Sequence, residues 1–167
     1  MQLLLLFTAC ILVAGWDLVA RRVPNNLLIV LAAMQCVLMV AGCAEASWLQ
    51  AVAGLGAGLI GLLPFYLLRM MGAGDVKFAA LMGLMCGPWT LFVTWVFASL
   101  CAGIHAAVVL SVRASPVLSV VHDNWEQSRV ARFLQVQRQG RRGIPYAAYL
   151  ASGLLYLHFV HPVPFPR

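Results

Sequence analysis

Two aspartates lie at the edges of long apolar stretches of the sequence. Asp17 follows the uncharged run 3–16, and Asp75 comes shortly before the uncharged run 78–112. Carboxylates at such positions are costly in a membrane and point to function. Two carboxylates brought together share one proton, because like charges resist simultaneous ionisation. The ionised member can take a proton from water while the protonated member donates to a carbonyl oxygen, which predicts hydrolytic acid–base chemistry.

A structural alternative is also open, because each aspartate has a cation close by in the sequence. Asp17 lies one helical turn before Arg21, and Asp75 lies two residues before Lys77. Ion pairs would satisfy both carboxylates without any chemistry. The segment Gly72-Ala-Gly74 favours the hydrolytic interpretation, because glycine permits unusual dihedrals and the close approach of a substrate strand.

The composition is that of a membrane protein. Of the 167 residues, 63% are hydrophobic and only 10% are charged, with a mean hydropathy of +0.91. A soluble domain carries about 25% charged residues, and a disordered chain would also be polar and charge-rich. The net charge of +6 does not indicate nucleic-acid binding, because basic residues beside membrane spans follow from orientation alone. We therefore expect the lipid bilayer as a partner and no nucleic acid.

The apolar pattern predicts an all-α polytopic membrane protein with about six transmembrane helices in a single domain, 1–167. A span needs about 20 apolar residues, and the interruptions fall at charged residues, at Pro24-Asn25-Asn26 and at Gly87-Pro88. Pro24 suits a first helical turn, and asparagine suits a cap. The predicted spans are 3–16, 27–44, 46–68, about 75–87, 89–112 and 144–161.

Two further features follow from this division into spans. The polar stretch 113–143 is expected to be a cytoplasmic loop, either an amphipathic helix on the membrane surface or an ordinary polar loop. The short fourth span reaches only about 20 Å, so either the bilayer is thinned there or the Gly-Ala-Gly-Asp segment dips below the surface as a loop lining a wet cavity.

Small residues recur on one face of the third span and one face of the fourth, which predicts close helix packing; they are Gly54, Gly58, Gly61, Ala79, Gly83 and Gly87.

The basic residues set the orientation. If the loops after the first, third and fifth spans face the cytoplasm, those loops hold ten of the eleven basic residues, and only Arg167 lies outside. This distribution obeys the positive-inside rule. Asp17 and Asp75 then lie at the same, cytoplasmic, membrane face. The remaining acids, Glu45, Asp123 and Glu126, lie in connecting segments where solvent accounts for them.

Three segments together resemble the type IV prepilin peptidase family, the membrane aspartyl proteases with a GxGD motif. They are Asp17 followed by Arg22-Val-Pro24-Asn25, then Gly72-Ala-Gly74-Asp75-Val-Lys77, then Pro145-Tyr146-Ala. The short form that serves Flp-type (tight adherence) pili is the most similar. The resemblance spans residues 17–150.

The resemblance implies that Asp17 and Asp75 are the catalytic pair. It also implies a bacterial inner-membrane location, a prepilin or pseudopilin as substrate, and removal of its leader at the cytoplasmic face. Gly72, Gly74, Lys77, Arg22, Pro24, Asn25, Pro145 and Tyr146 would be supporting motif residues. Larger family members carry paired CxxC motifs and methylate the new amino terminus; this sequence has no CxxC, so methyltransferase activity is not expected. The residues suggest no metal site and no cofactor.

Local electrostatics favours Asp75 as the base, because it begins a helix whose positive end stabilises charge. Asp17 would then be the acid, although the two groups titrate as a unit. Two other functions fit the same aspartates: a small transporter that uses them as a proton relay, and a non-enzymatic scaffold of a secretion machine. A transporter would need polar residues deeper in the spans, which are sparse.

Overall fold

The computed structural model describes residues 1–114, 136 and 145–160. This part of the chain is all-α, as predicted, and it forms five helices in the order α1 (Gln2–Ala20), α2 (Asn25–Val40), α3 (Trp48–Leu67), α4 (Ala73–Ala114) and α5 (Tyr146–Val160). The polar segment predicted at 113–143 lies almost entirely outside the described residues.

The outer surface of the helices is apolar. Among the described helices, α1, α3 and the stretch Ala73–Val112 of α4 are long and apolar enough to cross a membrane, and α2 is a shorter apolar helix. Large apolar side chains point away from the bundle, including those of Ile11, Ile29, Ile60 and Leu110. Continuous apolar surface of this kind needs a non-aqueous environment. The fold therefore indicates a membrane protein.

α1 ends one turn after Asp17 because of two local features. Arg21 adopts the left-handed conformation with φ 52°, and its N–H donates to the Asp17 carbonyl. Pro24 then disfavours helical geometry at the preceding residue and occupies the N-cap position of α2. The prediction that asparagine caps α2 was wrong, since Asn25 is already helical and makes no side-chain cap.

α4 is interrupted at Gly87, where the sequence predicted a break. Gly87 has φ 81° and ψ 171°, outside helical geometry. The two halves are not collinear: Asp75 and Ser99 would be about 36 Å apart in a straight helix, yet Tyr146 hydrogen-bonds Ser99 and interacts electrostatically with Asp75. The second half of α4 therefore returns toward the end of the bundle where the first half begins.

Small residues let α3 and the first half of α4 pack backbone against backbone, as the sequence predicted. A Cβ atom at Gly54 would lie 2.0 Å from the Gly83 carbonyl oxygen, and one at Gly58 would lie 2.6 Å from the Ala80 Cα. Gly61 differs, since a Cβ there would meet nothing within 4 Å. It lines an apolar cavity of about 250 Å³ between α3 and the second half of α4.

A buried glutamine joins the helices at the end of the bundle opposite Asp17. Gln2 is 1% exposed, and its Nε2 donates to the Met85 carbonyl at 2.6 Å. Its Oε1 accepts the Glu45 N–H. Met85 lies two residues before the break at Gly87. Gln2 thus bonds a backbone carbonyl of α4 beside the break.

We expect Gly54→Ala to destabilise the protein by about 1–3 kcal/mol, because the new methyl group would overlap the Gly83 backbone, which cannot move aside. The matched control is Gly56→Ala on the same helix, where a Cβ meets nothing within 4 Å. Thermal unfolding in detergent, followed by circular dichroism, measures both. Equal unfolding midpoints for the two variants would contradict this packing.

Candidate active site

Asp17 is buried in the last turn of α1 and caps a different helix. Its side chain is 5% exposed, and Oδ2 accepts the Ala148 N–H at 3.1 Å; the Ala147 N–H also faces this carboxylate. The first N–H groups of a helix have no partner within it, and Pro145, just before α5, has no side-chain acceptor to offer. Asp17 thus takes the place of a side-chain N-cap for α5.

Asp75 lies in the first turn of α4 and closes that turn on itself. Its Oδ2 accepts the Gly72 N–H at 3.2 Å, while its own N–H donates to the Gly72 carbonyl at 3.1 Å. This is the back-bonding half of a capping box, with Gly72 at the N-cap. The Gly-Ala-Gly-Asp segment is consequently a helix start, and the dipping loop considered for it is not formed.

The structure brings the two aspartates together. The carboxylate of Asp75 interacts electrostatically with that of Asp17, and the Ala147 N–H faces both carboxylates. Asp17 is buried and Asp75 is half-buried. We call these two residues the aspartate pair. α1, α4 and α5 each contribute to it, so the site exists only where these three helix ends meet.

The two cations that are close to the aspartates in the sequence have different partners. Arg21 interacts electrostatically with Asp17, as the ion-pair alternative requires. Lys77 instead donates from Nζ to Asn25 Oδ1 at 2.9 Å, which links α4 to the start of α2. The ion-pair alternative therefore finds support at Asp17, while the lysine nearest Asp75 in the sequence is engaged with α2.

The two motif glycines provide space rather than unusual dihedrals. Among the described glycines, positive φ occurs only at Gly42 and Gly87, so Gly72 and Gly74 do not use the unusual dihedrals that glycine permits. A Cβ at Gly72 would lie 3.1 Å from the Asp75 Oδ2, and one at Gly74 would lie 3.4 Å from Val23. A side chain at Gly72 would therefore crowd the Asp75 carboxylate, whereas one at Gly74 would begin in ordinary contact with Val23.

The third sequence motif also reaches the aspartate pair. Pro145 is buried, and its carbonyl accepts the Tyr149 N–H at 3.3 Å as α5 begins. The hydroxyl of Tyr146 hydrogen-bonds Ser99 Oγ at 2.7 Å. Of the remaining predicted residues, Arg22 is exposed and Pro24 is half-buried in the turn between α1 and α2.

Sequence reasoning missed several groups of this site. The N–H groups of Ala147 and Ala148 face the carboxylates, and Ser99 hydrogen-bonds the adjoining Tyr146. A signal was present, because a proline followed by Tyr-Ala-Ala marks a helix start without a side-chain cap. Only the tertiary fold, however, assigns Asp17 as the acceptor.

The arrangement has the components of a general acid–base pair. Two carboxylates near each other share a proton, which leaves one able to accept a proton from water and the other able to donate. Among the residues that the structure describes, no group of three or more His, Cys, Asp or Glu side chains could hold a metal ion.

A membrane-helix fold with paired carboxylates at one end defines a candidate intramembrane hydrolase. Residues 4–107, more than half of the chain, match the type IV leader peptidase family. The chain belongs to this family, which makes it a peptidase, and the family together with the apolar helices indicates an inner-membrane location. No curated protein and no solved structure matches the chain. The match includes both aspartates, whereas α5 lies beyond it.

We expect Asp17→Ala to loosen the first turn of α5, because it removes the acceptor for the Ala148 N–H; losing such a cap costs about 1 kcal/mol. Asp17→Asn keeps an acceptor oxygen and should retain most of the protection. Hydrogen–deuterium exchange at residues 147–149, read by mass spectrometry in detergent, measures both. Exchange in the alanine variant as slow as in the wild type would contradict the capping role.

Proposed function

We propose that this protein is a membrane aspartic endopeptidase that removes the leader peptide from prepilin-like substrates. Asp17 and Asp75 are the catalytic residues. The observation that carries the proposal is the Ala147 N–H facing both carboxylates, which interact electrostatically. Two acids from distant parts of the chain meet at one place, in a protein of a leader peptidase family.

In the proposed reaction, the aspartate pair activates water while the scissile carbonyl lies beside it. One ionised carboxylate takes a proton from water as the oxygen attacks the carbonyl carbon, and the protonated carboxylate donates to the carbonyl oxygen. The proton that the first carboxylate holds then passes to the leaving nitrogen. Collapse of the tetrahedral intermediate breaks the carbon–nitrogen bond, and one hydroxyl of the intermediate gives its proton to the second carboxylate. The pair then again shares one proton.

The base and the acid are less distinct than the sequence suggests. Asp75 lies at the amino-terminal end of α4, which favours its ionised form. Asp17, however, accepts N–H groups at the amino-terminal end of α5, which favours ionisation as well. We keep Asp75 as the base and Asp17 as the acid, within a pair that titrates as a unit.

The proposed orientation places the aspartate pair at the cytoplasmic face. Four basic residues lie at the end of the bundle that holds the pair. Arg21 and Arg22 follow α1, Arg69 follows α3, and Lys77 lies in the second turn of α4. The positive-inside rule assigns such an end to the cytoplasm. In this proposal the two halves of α4 cross the bilayer separately, which gives six crossings of the bacterial inner membrane.

The supporting motif residues have proposed roles that follow from their contacts. Gly72 and Gly74 keep the start of α4 free of side chains, and Lys77 with Asn25 fixes α2 beside it. Pro24 shapes the turn after Asp17, and Arg22, exposed in that turn, is available to the substrate backbone. Pro145 and Tyr146 start the helix whose amides hold the pair.

Asp17→Asn and Asp75→Asn should each abolish leader removal, because an asparagine amide can neither accept a proton from water nor share one with its partner. Both proteins should still reach the membrane. The measurement is a gel-shift assay of a co-expressed prepilin, with the peptidase level checked by immunoblot.

Glu45→Gln is the matched control, since Glu45 is an exposed acid in the connection between α2 and α3, and it should process the pilin normally. Normal processing by either aspartate variant would refute the catalytic pair and favour a non-enzymatic scaffold. Proton flux into proteoliposomes without cleavage would favour a transporter.

We also propose that the enzyme cleaves without methylating its product. The five cysteines lie singly along the chain, and none forms a CxxC motif. Mass spectrometry of the mature pilin, processed in vitro with S-adenosylmethionine present, should find an unmodified amino terminus. A mass increase of one methyl group, absent without S-adenosylmethionine, would contradict this proposal.

A further inference from the structure

Two tyrosine hydroxyls tie the beginning of α5 to the second half of α4. Tyr146 OH and Ser99 Oγ are 2.7 Å apart, and Tyr149 OH lies 2.5 Å from His105 Nδ1. The His105 ring also packs edge-on against that of Tyr149. The two tyrosines are separated by nearly one helical turn. Both partners come from α4, and sequence reasoning gave Ser99 and Tyr149 no role.

The residues between these tyrosines are the ones that hold the aspartate pair. Ala147 and Ala148 present their N–H groups to the carboxylates. Where these N–H groups point depends on how far α5 is rotated and shifted along its axis. Two hydrogen bonds about one turn apart restrain both movements, because each fixes a different height on the helix.

The tyrosines also lie in the neighbourhood of the charged groups of the site. Tyr146 lies near Asp75, and Tyr149 lies near Arg21, which interacts electrostatically with Asp17. Each member of the aspartate pair thus has one of the two tyrosines nearby, directly or through Arg21.

We propose that Tyr146 and Tyr149, held by Ser99 and His105, are positioning residues that set the register of α5 against the aspartate pair. This inference rests on the proposed peptidase function. The hydroxyls are not needed to dock the helix, because α5 already buries the apolar side chains of Ala147, Leu150, Ala151 and Leu154 in the core. The hydroxyls instead fix where the Ala147 and Ala148 N–H groups lie relative to the two carboxylates, and acid–base catalysis depends on that geometry.

Tyr146→Phe and Tyr149→Phe test the proposal, because each keeps the ring and removes only the hydroxyl. We expect kcat for prepilin cleavage to fall by about tenfold or more, with KM and the thermal midpoint unchanged. Tyr156→Phe on the same helix is the matched control, since this ring stacks on Phe97 and its hydroxyl bonds no group in the described part of the chain. Wild-type kcat in both variants would overturn the proposal.

Substitutions of Ser99 test the same hydrogen bond from its other partner. Ser99→Ala removes the partner of Tyr146 and should lower kcat to the level of Tyr146→Phe, and the double variant should be no slower than either single one. Ser99→Thr keeps a hydroxyl and should recover activity. Additive losses in the double variant would mean that the hydrogen bond is not the cause.

A measurement that does not depend on prepilin cleavage distinguishes this inference from the proposed function. In the ¹⁵N-labelled wild type in detergent micelles, the Ala148 amide proton shift should change with pH as Asp17 ionises, and Asp17→Asn should abolish that change. Tyr146→Phe should weaken it. If the wild type fails to cleave any prepilin, the peptidase proposal fails, while an unchanged Ala148 titration in Tyr146→Phe overturns the positioning role independently.

Discussion

A carboxylate buried among apolar helices must find hydrogen-bond donors, and this requirement organises the protein. Burying an ionisable group without partners costs several kcal/mol. Asp17 meets the requirement with the free N–H groups at the start of α5 and with the charge of Arg21. Asp17 in turn supplies the side-chain acceptor that the first turn of α5 lacks. One interaction therefore stabilises a helix end and holds the carboxylate in place.

The remaining helices bring the second carboxylate to the first. α3 and the first half of α4 approach so closely at Gly54 and Gly83 that no side chain fits between them. The break at Gly87 then returns the second half of α4 to the same end, where Ser99 meets α5. At the opposite end of the bundle, Gln2 bonds the Met85 carbonyl beside the break. The distance between the aspartates is thus set by contacts throughout the bundle.

Features encoded in local pattern were accessible from the sequence. The apolar composition predicted membrane helices, the Gly-Pro step predicted the break at Gly87, and the small-residue stripes predicted close helix packing on one face of α3 and one face of α4. The two aspartates were identified because an acid beside an apolar run is rare. Each of these inferences uses residue identity within one or two turns of helix.

Features that depend on tertiary pairing were not accessible in this way. That Asp17 caps a helix 131 residues further along the chain follows from no local rule. Asn25 was expected to cap α2, but Pro24 occupies that position and the amide binds Lys77 instead. Gly72 and Gly74 were noted for the unusual dihedrals that glycine permits, but neither has a positive φ in the helix start that they form. In each case the residue was identified and its physical role was not.

The use of main-chain donors has a consequence for how this site tolerates change over evolution. Every amino acid except proline carries the same N–H, so the identity of residues 147 and 148 is constrained by volume and not by chemistry. Positions 147 and 148 therefore need no reactive side chain, although the candidate site is incomplete without the main chain of α5.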